Sequence, residues 1–73
     1  MTVHALPGIG SQIGRATIID MRLTSAGDII VLGLWASQVT PFATWLYDPT
    51  KGALYAGHYF SIRDAAEADY IER

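Results

Sequence analysis

From Ala16 to Thr24 apolar and polar residues alternate along the chain. Thr17, Ile19, Met21 and Leu23 fall on one face of an extended segment, and Ile18, Asp20, Arg22 and Thr24 on the other. That period of two predicts a half-buried strand. Ser25-Ala26-Gly27-Asp28 follows with turn chemistry, Gly27 being free to take positive φ, so a hairpin into the next run is expected. That run, Asp28 to about Ala36, is apolar on both sides, with Ile30, Leu32, Leu34 and Ala36 against Ile29, Val31 and Trp35. Such a strand belongs in the middle of a sheet or at an interface. Ser37 to Pro41 reads as a connection, Phe42 to Asp48 as a third strand and Ala53 to Phe60 as a fourth. The intervening Asp48-Pro49-Thr50-Lys51-Gly52 is the strongest local signal. Proline fixes φ for a type I turn, the Asp48 carboxylate can accept from the turn backbone, and Gly52 can close the hairpin in the left-handed region.

At Ser61 the period changes to that of a helix. Ser61-Ile62-Arg63-Asp64 resembles a capping box with aspartate for glutamate, Phe60 can staple onto Ala65, and a helix over 62–72 is expected. Ile62, Ala65, Ala66 and Tyr70 form its apolar stripe, while Arg63, Asp64, Glu67 and Glu72 face water. Asp69 falls inside the stripe. Fraying near the terminus, or pairing with an arginine, accounts for it better than a buried functional carboxylate. Residues 1–15 carry Pro7, Gly8, Gly10 and Gly14 among single apolar residues and read as an irregular arm. The expectation is one α+β domain over 1–73, with about four antiparallel strands in two hairpins over 16–60 and one C-terminal helix packed on one face of the sheet.

Composition narrows what such a domain can do. At 73 residues, half of them hydrophobic, the chain has the material to fold but little interior for both a core and an enclosed pocket. It has no cysteine and only two histidines, His4 and His58, far apart, so neither a disulfide nor a structural metal is expected to reinforce it. Oligomerisation or partner binding remains. The first residues lack the basic and apolar regions of a secretory signal and no run approaches the roughly 20 apolar residues of a membrane span, which leads to a cytoplasmic expectation. The net charge of −2 and the scattered Arg15, Arg22, Lys51, Arg63 and Arg73 disfavour generic nucleic-acid binding.

Catalytic chemistry finds no footing. Gly8-Ile9-Gly10-Ser11-Gln12-Ile13-Gly14 has its third glycine one place late for a dinucleotide loop and lacks the strand and helix such a loop joins. His58, between Gly57 and Tyr59 in a strand, reads as a half-buried hydrogen-bonded histidine rather than a general base, and no serine or threonine stands in a nucleophile motif. No catalytic residue, metal ligand or cofactor is expected.

One helix covers one face of a four-stranded sheet, whereas three strands are apolar on both, so the second face needs the arm, a second copy or another protein. If Asp48 pairs with Gly52, then Trp45, Tyr47, Tyr55 and Tyr59 share that face, and Phe42, Leu46, Leu54, His58 and Phe60 the helix side. A bulge at Gly52 would reshuffle both sets. The shared Trp and Tyr rings are residue types that dominate binding hot spots, against the plainer reading of ordinary core and sheet surface. Glu67 and Glu72, with Asp64 and Asp69, offer a second candidate surface, an acidic helix able to mimic nucleic acid, though a solvated face is the plainer reading of it.

Ala43-Thr44-Trp45, Asp48, Gly57-His58-Tyr59-Phe60, Ala65, Ala68-Asp69-Tyr70 and Arg73 together resemble a pattern in small uncharacterised proteins of mobile elements of Gram-positive bacteria: T-W-x-x-D, G-H-Y-F and an A-x-x-D-aromatic helix. The likeness spans about the last 30 residues and carries no activity onto any residue. It implies a phage or plasmid setting, where very small non-enzymatic proteins bind and block host proteins, anti-CRISPR proteins among them. The leading expectation is therefore a protein-protein interaction module, an inhibitor of a host defence complex by analogy, using Trp45, Tyr47, Tyr55 and Tyr59 or Glu67 and Glu72. The alternatives are an obligate homodimer with a structural role and an aromatic-surface binder of nucleic acid or a small ligand.

Overall fold

The structure, a computed structural model, describes residues 8–73. Five strands, β1 (Gln12–Ile13), β2 (Ala16–Leu23), β3 (Ile29–Leu34), β4 (Phe42–Asp48) and β5 (Ala53–Phe60), precede one helix, α1 (Arg63–Glu72). The strands form one antiparallel meander in chain order. The architecture expected from the sequence, a small antiparallel sheet with a C-terminal helix, is the one observed. The fifth strand comes from the end of the segment read as an irregular arm: Gln12 and Ile13 pair with Thr17 and Ala16 across a turn in which Gly14 has φ +59°. The expectations for residues 1–7 lie outside the described residues.

Both main turns form as their residues dictate. Gly27 takes φ +90° while Thr24 closes the β2–β3 loop, its backbone N–H donating to Asp28 O (2.8 Å) and its hydroxyl accepting from Asp28 N–H (3.1 Å). In the β4–β5 turn Asp48 Oδ1 accepts from the N–H groups of Thr50 (2.9 Å) and Lys51 (3.3 Å), and Gly52, at φ +64°, donates to Asp48 O (2.7 Å).

Two bulges change which residues share a face. The first lies between Ile18 and Asp20, so Ile18 and Met21 lie on one side with Ala16, while Ile19 joins the other. The strict alternation expected for Ala16–Thr24 is thereby broken. The second lies between Thr44 and Leu46, where Trp45 stands opposite both Ala56 and Gly57, and Ala56 takes φ +51°. Asp48 pairs with Ala53, not Gly52.

Each face then has its own core. On the helix side Ile30, Leu32, Ala66 and Tyr70 are buried, flanked by Ile19, Phe42, Leu46 and Phe60. On the opposite side Ala16, Ile18, Val31, Ala43, Trp45 and Tyr47 are buried, flanked by Leu54 and Trp35 among others. Ile13, Gly14 and Arg15 at one sheet edge and Leu54, Ala56 and Gly57 at the other line a single cleft of about 370 Å³. The sheet therefore curls around this second face.

The helix depends on the sheet. Ten residues are too few for stability alone, its N-cap is Ile62 without a side-chain cap, and the expected Ser61 capping box does not form. Ile62 and Ala65, expected in the apolar stripe, are exposed, and only Ala66 and Tyr70 are buried. No basic residue occupies the last turn. Arg22 of β2 supplies the missing charge. Its guanidinium donates to Tyr70 O (2.7 and 3.2 Å) and Ile71 O (2.8 Å) and lies 5.4 Å from the Tyr70 ring centroid. Cationic donors at a helix C-terminus satisfy orphan carbonyls and oppose the macrodipole. Arg22→Ala is expected to cost about 1.5–3 kcal/mol, the range for hydrogen bonds to charged groups. Urea titration followed by far-ultraviolet circular dichroism reads this, and an unchanged midpoint would show that the helix is held without Arg22.

Candidate functional site

The cleft owes its shape to one indole. Trp45 projects from β4 onto the curled face between two glycines. A Cβ at Gly33 would come 2.8 Å from Trp45 Cζ3 and 2.6 Å from Thr17 O, and one at Gly57 would come 2.8 Å from Trp45 Nε1 and 2.7 Å from Tyr59 Oη. Real Cβ atoms do not approach so closely, so only glycine at both positions lets the ring lie flat across β3 and β5. Tyr59 folds over Gly57 and its hydroxyl accepts from Trp45 Nε1 at 3.4 Å. Trp35, just beyond β3, completes the group: its ring centroid is 5.9 Å from those of Trp45 and Tyr59, tilted by 59° and 55°. Trp45 and Tyr59 meet edge to face at 6.2 Å. These are favourable geometries for aromatic pairs.

This arrangement corrects the expected aromatic surface. Trp45 and Tyr47 do lie on one face, but they are 3% and 5% exposed and belong to the core. The extra residue at Ala56–Gly57 sets Tyr55 opposite Leu46 and Leu54 opposite Tyr47, so Tyr55, half-exposed, only borders the cleft. Tyr59 keeps its place and is 47% exposed. Trp35, half-buried, is the ring that a list confined to β4 and β5 misses. Its signal was present in the apolar second face of β3. Arg15 is exposed and is the one charged residue lining the cleft among the described residues.

The acidic helix surface is also divided. Glu67 pairs with Arg63 at 2.9 Å, and Glu72 is exposed at the far end. Five residues apart, they lie about 140° from each other around the axis. Asp69 turns inward. Its Oδ2 accepts a hydrogen bond from the fully buried Thr44 hydroxyl and lies 2.9 Å from His58 Nδ1. Arg73 reaches the same Thr44 oxygen (3.2 Å) and donates to Ala56 O (2.6 Å) at the bulge. Asp69 is thus paired with a histidine and a threonine instead of the expected arginine, which reaches the group through Thr44. His58 is hydrogen-bonded and half-exposed, as expected, and lies outside the aromatic cleft. Among the described residues no cluster of His, Cys, Asp or Glu could hold a metal, and no helix is long and apolar enough to cross a membrane.

Burial raises the Asp69 pKa, but the hydrogen bonds from Thr44 and His58, with the charges of His58 and Arg73, outweigh it and hold the carboxyl below its ordinary value. Burial raises that of Tyr70, helped by Asp20 and opposed by Arg22.

The two groups of residues, Trp45–Gly57–Tyr59 and Thr44–His58–Asp69–Arg73, lie on opposite sides of the same β4–β5 bulge. Comparison with family models, curated proteins and solved structures finds no match.

An aspartate whose folded pKa is depressed contributes stability present above its unfolded pKa and lost as pH falls through the folded one. Unfolding free energy should therefore drop as pH is lowered from about 5 toward 3. Asp69→Asn should be less stable than the native chain at neutral pH and show a flatter acid profile. Parallel profiles for the two proteins, from urea titrations at several pH values, would contradict this role.

Proposed function

We propose that the protein is a non-enzymatic protein-interaction module whose aromatic cleft receives an extended apolar segment of a partner protein. The observation that carries this reading is the Trp35–Trp45–Tyr59 cluster. The buried Trp45 fixes two partly exposed rings at the floor of an open cleft, with the β5 edge as one wall. Rigid, amphipathic rings held by a packed base supply contact area at low entropic cost and are the usual anchors of binding energy. Aromatic-lined grooves accept proline-rich or extended chains, and Arg15 at the rim favours one with a neighbouring carboxylate.

The non-enzymatic part rests on the polar network. His58 and Asp69 are consumed in joining helix to sheet, and His58 lies apart from the cleft. The mobile-element resemblance makes a host protein, such as a subunit of a defence complex, the class of partner to test first.

A peptide library displayed on phage and selected against the purified chain tests the proposal. Enriched peptides should contain proline or aromatic residues beside an acid and should perturb tryptophan fluorescence when titrated as synthetic peptides. Trp35→Ala should weaken their binding by about 2 kcal/mol, roughly 30-fold, with an unchanged circular dichroism spectrum. Failure to enrich any peptide, or equal affinity for the Trp35→Ala protein, would overturn the reading.

A further inference from the structure

Among the described residues β5 closes the sheet on one side and pairs only with β4. Its eight residues, Ala53 to Phe60, include no Lys, Arg, Asp or Glu and no proline. Exposed sheet edges are ordinarily blunted by shortness, by charge, by proline, by a bulge or by a covering segment. The opposite edge, β1, is blunted by its two-residue length, whereas β5 is long and has the bulge alone. Its one irregularity is the Ala56–Gly57 bulge, whose Ala56 carbonyl already accepts from Arg73 and needs no partner strand.

The bulge also makes β5 complementary to itself. A strand of eight residues meeting its own copy antiparallel about its midpoint pairs residues an odd number of places apart, which in a regular strand point to opposite faces. In β5 the midpoint falls between Ala56 and Gly57, and the extra residue there restores the match. Leu54 and Tyr59 both belong to the cleft face, while Tyr55, opposite Leu46, and His58, beside Asp69, both belong to the helix face, as do Ala53 and Phe60. About that midpoint Leu54 meets Tyr59 of the second copy, Tyr55 meets His58, and Ala53 meets Phe60. Every pair shares a face.

We infer that β5 is a homodimerisation edge, pairing antiparallel with β5 of a second copy about a two-fold axis at Ala56–Gly57. The pairing joins two five-stranded sheets into one of ten strands, continues each helix-side core, and brings Leu54 of one copy beside Tyr59 of the other at the cleft wall. It gives a domain of this size the reinforcement that disulfides and metals do not supply. The inference stands on the edge alone and does not require the cleft to bind a peptide.

The absence of cysteine from the chain makes the test direct. The native protein should show a doubled mass by light scattering as concentration rises. Tyr55→Cys/His58→Cys should convert in majority to a disulfide-linked dimer on mild oxidation, because directly opposed residues in an antiparallel pair have disulfide-compatible spacing. Val39→Cys, exposed in the β3–β4 connection, serves as the control and should not crosslink beyond random collision. Tyr55→Lys, on an exposed position, should halve the mass while retaining the circular dichroism spectrum. A native protein that stays monomeric at every concentration, or a double-cysteine variant that crosslinks no more than the control, would overturn the pairing.

Discussion

The seat of Trp45 is the constraint on which the rest of the molecule depends. An indole that lies flat across β3 and β5 requires two positions without a Cβ, and Gly33 and Gly57 provide them on strands that are not neighbours of each other. The ring fills the curl of the sheet, and Val31, Ala43 and Ile18 close around the same face. Beside it, the buried residues of that face are Tyr47 and small or β-branched side chains. The extra residue that accommodates Gly57 and Tyr59 on one side also frees the Ala56 carbonyl, which Arg73 takes from the helix end. One local irregularity thereby couples the two cores.

The C-terminal helix is the complement of that arrangement. Its own sequence offers no N-cap bond and no basic last turn, and it buries only Ala66 and Tyr70. Arg22, Thr44 and His58 of the sheet supply what the helix lacks, all near its C-terminal half. The attachment adds a polar network at Asp69 to the apolar packing of Ala66 and Tyr70 on the sheet. A charge-assisted network with every buried side-chain polar atom among the described residues satisfied is stabilising in a way that a half-satisfied one would not be.

Much of the fold was legible because its signals are local. Asp48-Pro49-Thr50-Lys51-Gly52 specified its turn, Gly27 specified the other, and the doubly apolar β3 announced a central strand. What escaped were features set by tertiary contact. Ala56 carries no signal for positive φ, because alanine reaches that region only when its surroundings impose it. The register of β5, and with it the face of Tyr55, was therefore not readable. The two residues of β1 are too few to show a period. At the site, Tyr59 and the anomaly of Asp69 were visible in the sequence. The burial of Trp45 and Tyr47, and the partnership of Asp69 with Thr44 and His58, follow from strand pairing that no spacing along the chain encodes.

The most direct test of the central claim is a nuclear Overhauser spectrum of the protein in solution, read at the Trp45 indole. The Trp45 ring protons should show cross-peaks to the α-protons of Gly33 and Gly57 and to the ring of Tyr59, with both glycines shifted by the ring current, while Tyr55 contacts Leu46 and not Trp45. Cross-peaks from Tyr55 to Trp45, without contacts to Gly57, would mean a β5 register lacking the bulge, and the account of both the cleft and the helix attachment would fall with it.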